Sequence, residues 1–285
     1  MGEEQEKQTK EQLENSQKWW DQRHKRIEVT DVSGPVRVAP PKVEDMPRFP
    51  PVTWPTPDEL FQKNLEKYRQ MALELGAADA RIIPASDVPQ DLRAYYVGCI
   101  NPSCRWLNTN ANCPVVRTFP FDQMKKFFGE YRFAVVFKVL PPVVEGVPDV
   151  GPVDLDMYYT MGGGPAPDRA MLARNIIRLR ILSEMERRIR AEAYYDGYLM
   201  AAPMGSGPCL LTKCADIRRC PAAEKGGHCR FVDTQPNGAG CAYVNYHALG
   251  TKLGWGRLQV GGNCAFPDDV PVPNEYYNIG LILID

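Results

Sequence analysis

The sequence predicts a mixed fold, α/β or α+β, in which a small sheet of mixed strand direction is covered by two long helices. Three observations lead to this prediction. Two segments carry apolar residues at spacings of three and four, residues 133–140 read FAVVFKVL without a turn residue, and helical and strand patterns alternate along the chain. With 44% apolar residues among 285, the chain can bury a sizeable core.

The first predicted helix begins near Thr56 and ends at about Gly76. Thr56 can cap its start, and Pro57 suits the first helical position because a residue there needs no intrahelical amide donor. Two short strands are predicted next, over residues 80–83 and 92–97. The helix carries one apolar face, made of Phe61, Leu65, Tyr68, Ala72 and Leu75.

The remaining predicted elements again alternate between helix and strand. A helix over residues 120–130 precedes the strongest strand of the chain, over 133–140. A long helix over 167–193 and strands over 198–204 and 279–284 follow. The long helix has a continuous apolar stripe, made of Leu172, Ile176, Leu179, Leu182, Met185 and Ile189.

Residues 1–55 are predicted to form an extended N-terminal arm attached to a single domain over residues 56–285. The arm begins with a polar, highly charged stretch that contains the adjacent pair Trp19 and Trp20. Eight prolines then fall between Pro35 and Pro57, which favours extended backbone. Because two neighbouring tryptophans are costly to expose, we expect the arm to bind a protein redox partner or a larger enzyme complex, and a solvated tail is the alternative.

The charge balance excludes a generic nucleic-acid binder, because 34 basic and 35 acidic side chains give a formal net charge of −1. No run of residues approaches the roughly 18 apolar residues of a membrane span. The N-terminal stretch has no apolar region of the kind a secretory signal needs. We therefore expect a cytoplasmic protein that binds neither nucleic acid nor membrane, and in that reducing compartment nine cysteines favour metal ligation over disulfides.

The cysteines fall into two groups with similar spacing. Each group opens with a gap of four residues and closes with a gap of eight, and each follows a predicted strand, 92–97 in the first case and 198–204 in the second. This repeated spacing of cysteines predicts two metal sites on loops. The first group comprises Cys99, Cys104 and Cys113, and the second comprises Cys209, Cys214, Cys220 and Cys229, with Cys241 and Cys264 beyond it.

These spacings favour iron–sulfur clusters, because a [4Fe-4S] cube needs about four thiolates that turn inward from short loops. Cys113 and Cys220 are each followed by proline, as in ferredoxin-type motifs. Structural zinc prefers paired cysteines with two residues between them, and the chain has no such pair. Of the histidines, only His228 lies beside a cysteine group. Zinc and unligated thiols remain the alternatives.

The second group resembles a known family. The stretch Gly207-Pro208-Cys209-Leu210-Leu211, continued through Cys214 and Cys220 to Cys229-Arg230-Phe231, and the Cys113-Pro114 ending of the first group are similar to an uncharacterised family of predicted cysteine-rich metal-binding proteins of anaerobic bacteria and archaea. The resemblance covers roughly residues 95–120 and 195–285.

The resemblance implies a ligand assignment. One cluster is held by Cys209, Cys214, Cys220 and Cys229, and Cys241 completes the other set. That second set is therefore Cys99, Cys104, Cys113 and Cys241, which leaves Cys264 as the spare. A crossed assignment, in which Cys264 takes the place of Cys241, stays open.

We therefore expect an iron–sulfur protein with two [4Fe-4S] clusters that transfers single electrons, as a subunit or accessory of an anaerobic redox enzyme complex. Two alternatives differ in chemistry. In the first, an iron held only by Cys99, Cys104 and Cys113 stays open and acts on a substrate or activates a partner. In the second, zinc merely holds the loops of a structural or assembly protein together.

Overall fold

The structure is a computed structural model, and it describes residues 56–100, 107, 109–110, 120–140, 146, 149–151, 169–205, 209, 214, 220–223, 228–230, 243–256 and 277–285. The predicted arm over residues 1–55, with Trp19 and Trp20, lies outside these ranges. Its role in binding a redox partner, and the domain boundary at residue 56, stay predictions.

A four-stranded antiparallel sheet forms the centre of the described fold, and the strands, counted along the chain, lie in the order first, second, fourth, third. The mixed strand direction predicted from the sequence is therefore wrong, since every pair of neighbouring strands is antiparallel and hydrophobic periodicity does not encode strand direction. The two central strands are apolar apart from Lys138 and Asn278, because both of their faces are covered. The strands are β1 (Asp79–Pro84), β2 (Phe133–Val139), β3 (Ala202–Met204) and β4 (Asn278–Ile284).

Five helices accompany the sheet in the described ranges, and three of them were predicted. The helix predicted from Thr56 begins one residue late, because the carbonyl of Pro57 accepts the first helical hydrogen bond, from the Phe61 amide at 2.9 Å. Pro57 rather than Thr56 is therefore the N-cap, without a side-chain cap bond. The helices are α1 (Asp58–Glu74), α2 (Leu92–Tyr95), α3 (Phe121–Gly129), α4 (Arg169–Tyr195) and α5 (Tyr246–Lys252).

The strand predicted over residues 92–97 is wrong. This segment forms α2 and then a π-helical turn over Tyr96–Ile100. The physical reason lies one residue earlier, where the Asp91 carboxylate accepts a hydrogen bond from the Arg93 amide at 2.9 Å and caps a helical turn. This local capping overrides the apolar pattern.

The strand predicted over residues 198–204 is shorter than expected, because only Ala202–Met204 pair with β4. The preceding residues close the C-terminal end of α4 instead. Gly197 has φ +100°, and the Tyr198 amide donates to the Ala193 carbonyl at 2.9 Å, as in a helix that ends on a left-handed glycine.

Each face of the sheet carries its own hydrophobic cluster. On one face, which we call the α1/α4 face, Phe137 of β2 and Ile282 of β4 pack against Phe61 and Leu182 from the two long helices. Gly280 allows this approach, since a Cβ there would lie 2.5 Å from a ring atom of Phe137.

The opposite face, which we call the α3/α5 face, is covered by α3 and by residues 243–256, which include α5. Met124 and Phe128 of α3 and Leu249 of α5 pack there against Leu281 of β4. The two long helices therefore cover one side of the sheet, as predicted, and the second side has a cover that the sequence did not predict.

Candidate metal centre

The second cysteine group begins where the chain leaves β3. Gly205 has φ +131°, and a Cβ there would lie 2.7 Å from the Ile279 carbonyl oxygen and 3.2 Å from the buried Glu186 carboxylate. Glycine is therefore required at this exit. The close approach fixes the point from which the chain proceeds to Cys209.

Three cysteines of this group are buried. Cys209 is 3% exposed, Cys214 5% and Cys220 4%, whereas Cys229 is half-buried. The Cys214 amide donates to the Cys209 carbonyl at 3.0 Å, so these two residues belong to one closed turn. The donor type and the burial are those of shielded thiolate ligands, but the structure does not bring three of these four side chains together as a metal site.

Two of these cysteines also belong to the hydrophobic core. Cys214 and Cys220 pack in the cluster on the α1/α4 face, and Ala222 and Ala223 cover it from the short turn Pro221–Ala223. Cysteine behaves as a small apolar residue in such surroundings. The second group therefore has a packing role as well as its predicted ligand role.

Cys209 contacts a residue of the other cysteine group. Its Sγ donates a hydrogen bond to Oδ1 of Asn110 at 3.6 Å, and Asn110 is only 2% exposed. Asn110 lies between Cys104 and Cys113 in sequence. Cys209 of the second group therefore has a buried contact with Asn110, a residue 99 positions earlier in the chain.

Cys99, the first ligand predicted for the other site, is half-buried in the π-helical turn over Tyr96–Ile100. The segment before it is joined to the residues that follow Cys241. The Asp91 amide donates to the Tyr243 carbonyl at 2.9 Å, and the Tyr95 and Tyr243 ring centroids are 5.1 Å apart.

Tyr243 holds an unusual backbone conformation. Its φ is +58°, which is rare for a large side chain, and the residue is buried between the rings of Tyr95 and Phe121. The surrounding contacts maintain this conformation. They anchor the chain two residues after Cys241, beside the segment that leads to Cys99.

The electrostatics of this region centre on an exposed ion pair. Hydrogen bonds from the Arg93 side chain and backbone amide lower the pKa of Asp91 to about 2. The Asp91 carboxylate is therefore ionised at neutral pH and keeps α2 capped.

Cys104, Cys113, Cys241 and Cys264 lie outside the described residues. Within the part of the chain that the structure describes, no three His, Cys, Asp or Glu side chains are grouped closely enough to hold a metal ion. The ligand sets therefore stay predictions. Sequence reasoning missed Asn110, for which its position between two cysteines was the only available signal.

Comparisons with protein families, curated proteins and solved structures gave no match for this chain. Among the described helices, none combines the length and the apolar character that crossing a membrane requires.

Proposed function

We propose that this chain is an iron–sulfur protein that binds two [4Fe-4S] clusters and transfers single electrons, as a subunit or accessory of an anaerobic redox enzyme complex. The observation that carries the proposal is the buried contact between Cys209 and Asn110. It supports a shared, water-excluded region for two cysteine groups that are far apart in sequence.

The ligand set with Cys241 draws support from the α3/α5 face. Tyr243, two residues after Cys241 in sequence, is fixed to Asp91 and Tyr95, which belong to the segment that leads to Cys99. We therefore prefer Cys241 over Cys264 as the fourth ligand beside Cys99, Cys104 and Cys113.

Bound clusters would supply the electron-accepting and electron-donating chemistry. The chain's own residues would provide thiolates and exclude water. Burial of an unpaired thiolate is unfavourable, so buried cysteines acting as thiolates need a bound cation. Cys209, Cys214 and Cys220 meet the burial condition through their contacts with Asn110 and the α1/α4 core.

Paired serine variants test the proposal in protein reconstituted with iron and sulfide under anaerobic conditions. The wild-type chain should hold about eight iron and about eight sulfide ions. Cys209→Ser should lose about half of each, whereas the matched control Cys264→Ser should keep both. Equal iron content in Cys209→Ser and wild-type protein would overturn the proposed ligand role of Cys209.

A structural zinc protein is the second candidate, because Cys214 and Cys220 pack in the hydrophobic core. In that case the purified chain would hold zinc in stoichiometric amount and no sulfide. Removing zinc with a chelator would then unfold the cysteine-bearing loops. The chain would give no electron-transfer signal before or after this treatment, because zinc is not redox-active.

A further inference from the structure

Exposed apolar side chains are concentrated at the end of α4. Tyr194 and Tyr195 are both about half exposed in the last turn of the helix, and their ring centroids are 6.0 Å apart in an edge-to-face contact. Leu199 is 57% exposed and Met200 77% exposed in the turn that leads to β3. Single exposed apolar residues are ordinary, but four of them between residues 194 and 200 indicate a binding surface. We call these four side chains the α4-end patch.

The α4-end patch lies near the point where the proline-rich segment joins the described fold. The Tyr131 hydroxyl donates to the Met200 carbonyl at 2.8 Å. The next residue, Arg132, pairs at 3.1 Å with Asp58, which is the first residue of α1. Two side-chain contacts on neighbouring residues therefore connect the patch to the start of α1. The chain that precedes α1 consequently enters the fold at the same corner of the molecule.

The segment that precedes α1 has the composition of a ligand for such a patch. Residues 49–55, which lie outside the described ranges, read FPPVTWP and carry no charged side chain. Their prolines favour polyproline II backbone and lack amide donors, so the segment binds through its side chains rather than as an added strand. Proline-rich segments dock on surfaces lined by aromatic rings. At about 3.1 Å per residue this segment spans roughly 20 Å, a length that reaches from the start of α1 to the patch.

We propose that residues 49–55 dock on the α4-end patch of their own chain, with Trp54 packed against Leu199 and Met200. The inference does not depend on metal binding. A tryptophan ring supplies a large contact area, and a methionine side chain adapts to the shape of an aromatic ligand. Docking within one chain is favoured over docking of a second copy, because the short connection to α1 gives the segment a high effective concentration at the patch.

Photo-cross-linking on the full, purified chain tests this proposal. A benzophenone amino acid replaces Trp54, and mass spectrometry identifies the residues joined to it after illumination. We expect cross-links to residues 194–200 within one chain. Cross-links to these residues between two chains would overturn docking within the chain and assign the patch to a second copy. The absence of cross-links to residues 194–200 would overturn the proposal altogether.

Trypsin cleavage after Arg48 provides a second measurement with a matched control. Docking protects this bond, because trypsin must also bind the residues that follow it. Met200→Ser weakens the apolar contact with Trp54 and should accelerate cleavage by roughly tenfold, since cleavage follows the undocked population. Leu92→Ser changes an exposed leucine of α2 and should leave the rate unchanged. Equal rates in Met200→Ser and wild-type protein would overturn the proposal, whatever the metal content of the chain.

Discussion

The residues that precede Cys99 and the two cysteines Cys214 and Cys220 pack on opposite faces of the sheet. The chain before Cys99 lies with Tyr243 and Phe121 on the α3/α5 face, whereas Cys214 and Cys220 lie in the core of the α1/α4 face. The two groups have similar gaps between cysteines, yet Cys99 is half-buried and the described members of the second group are mostly buried.

Similar gaps between cysteines therefore do not produce similar surroundings for the cysteine side chains. On the α3/α5 face, hydrogen bonds and ring contacts of neighbouring residues fix the cysteine-bearing segment. On the α1/α4 face, two cysteines are themselves part of the apolar packing. We therefore expect cysteine substitutions on the α1/α4 face to lower the free energy of unfolding even without metal. Substitution of Cys99 should have little effect on it.

The largest expected effect concerns Tyr243. Tyr243→Ala removes the ring that packs between Tyr95 and Phe121, and such truncations of buried aromatic residues cost about 3–5 kcal/mol. Tyr243→Phe keeps both ring contacts and should retain most of the stability. Urea unfolding measures both values, and equal stability of Tyr243→Ala and wild type would contradict the anchoring role of Tyr243.

The next effect separates the two cysteine groups in metal-free, reduced protein. Cys214→Ser and Cys220→Ser place a hydroxyl in the apolar core and should lower the free energy of unfolding by about 1–3 kcal/mol. Cys99→Ser, at a half-buried position, should change it by less than about 0.5 kcal/mol. Equal losses at Cys99 and Cys214 would remove the distinction between the faces.

A smaller effect tests the polar contact between α1 and the end of α4. The Tyr198 hydroxyl accepts a hydrogen bond from Nδ2 of Asn64 at 3.1 Å in a buried position. Tyr198→Phe leaves that amide without this acceptor and should cost about 1 kcal/mol. In a double-mutant cycle, Tyr198→Phe should cost less in the Asn64→Leu background, whereas strict additivity would show that the contact contributes nothing.

The α1/α4 face should also lose stability at high pH. Burial and then the hydrogen bond to Asp196 raise the pKa of Tyr68 above its ordinary value. The folded state keeps the Tyr68 proton while the unfolded chain releases it near pH 10, so the free energy of unfolding falls as the pH rises above about 10. Unfolding titrations between about pH 8 and 11 should show a shallower decline in Tyr68→Phe, and an unchanged slope would contradict this cause.

The smallest effect lies at low pH, beside the first cysteine group. Because the pKa of Asp91 is lowered to about 2, its contribution to stability is present above about pH 4 and is lost as the pH falls toward 2. The pair with Arg93 is exposed, so the contribution is weak. Asp91→Asn keeps a capping oxygen and should flatten only this acid limb, as circular dichroism during acid titration would show.

The regular core could be predicted from the sequence because its signals are local and repeated. The strands over Phe133–Val139 and Asn278–Ile284 and the helices over Asp58–Glu74 and Arg169–Tyr195 all coincide with long apolar patterns. Strand direction could not be predicted, since it depends on how distant segments dock.

Short elements were harder to predict because one hydrogen bond decides them. The seven-residue helix α5 is capped by Asn245, whose side chain accepts from the Ala248 amide at 3.0 Å, and a search for this cap would have found it. The contact between Cys209 and Asn110 could not be predicted, because it joins residues 99 positions apart and its only sequence signal is the position of Asn110 between two cysteines. Nothing in the spacing of the cysteines distinguishes Asn110 from its neighbours.

Metal and sulfide analysis of the full chain, purified without oxygen and combined with electron paramagnetic resonance after reduction, tests the central claim most directly. The proposal predicts about eight iron and about eight labile sulfide ions per chain, with the signals of reduced [4Fe-4S] clusters. Stoichiometric zinc without sulfide, or a metal-free chain that takes up neither iron nor sulfide on reconstitution, would contradict it.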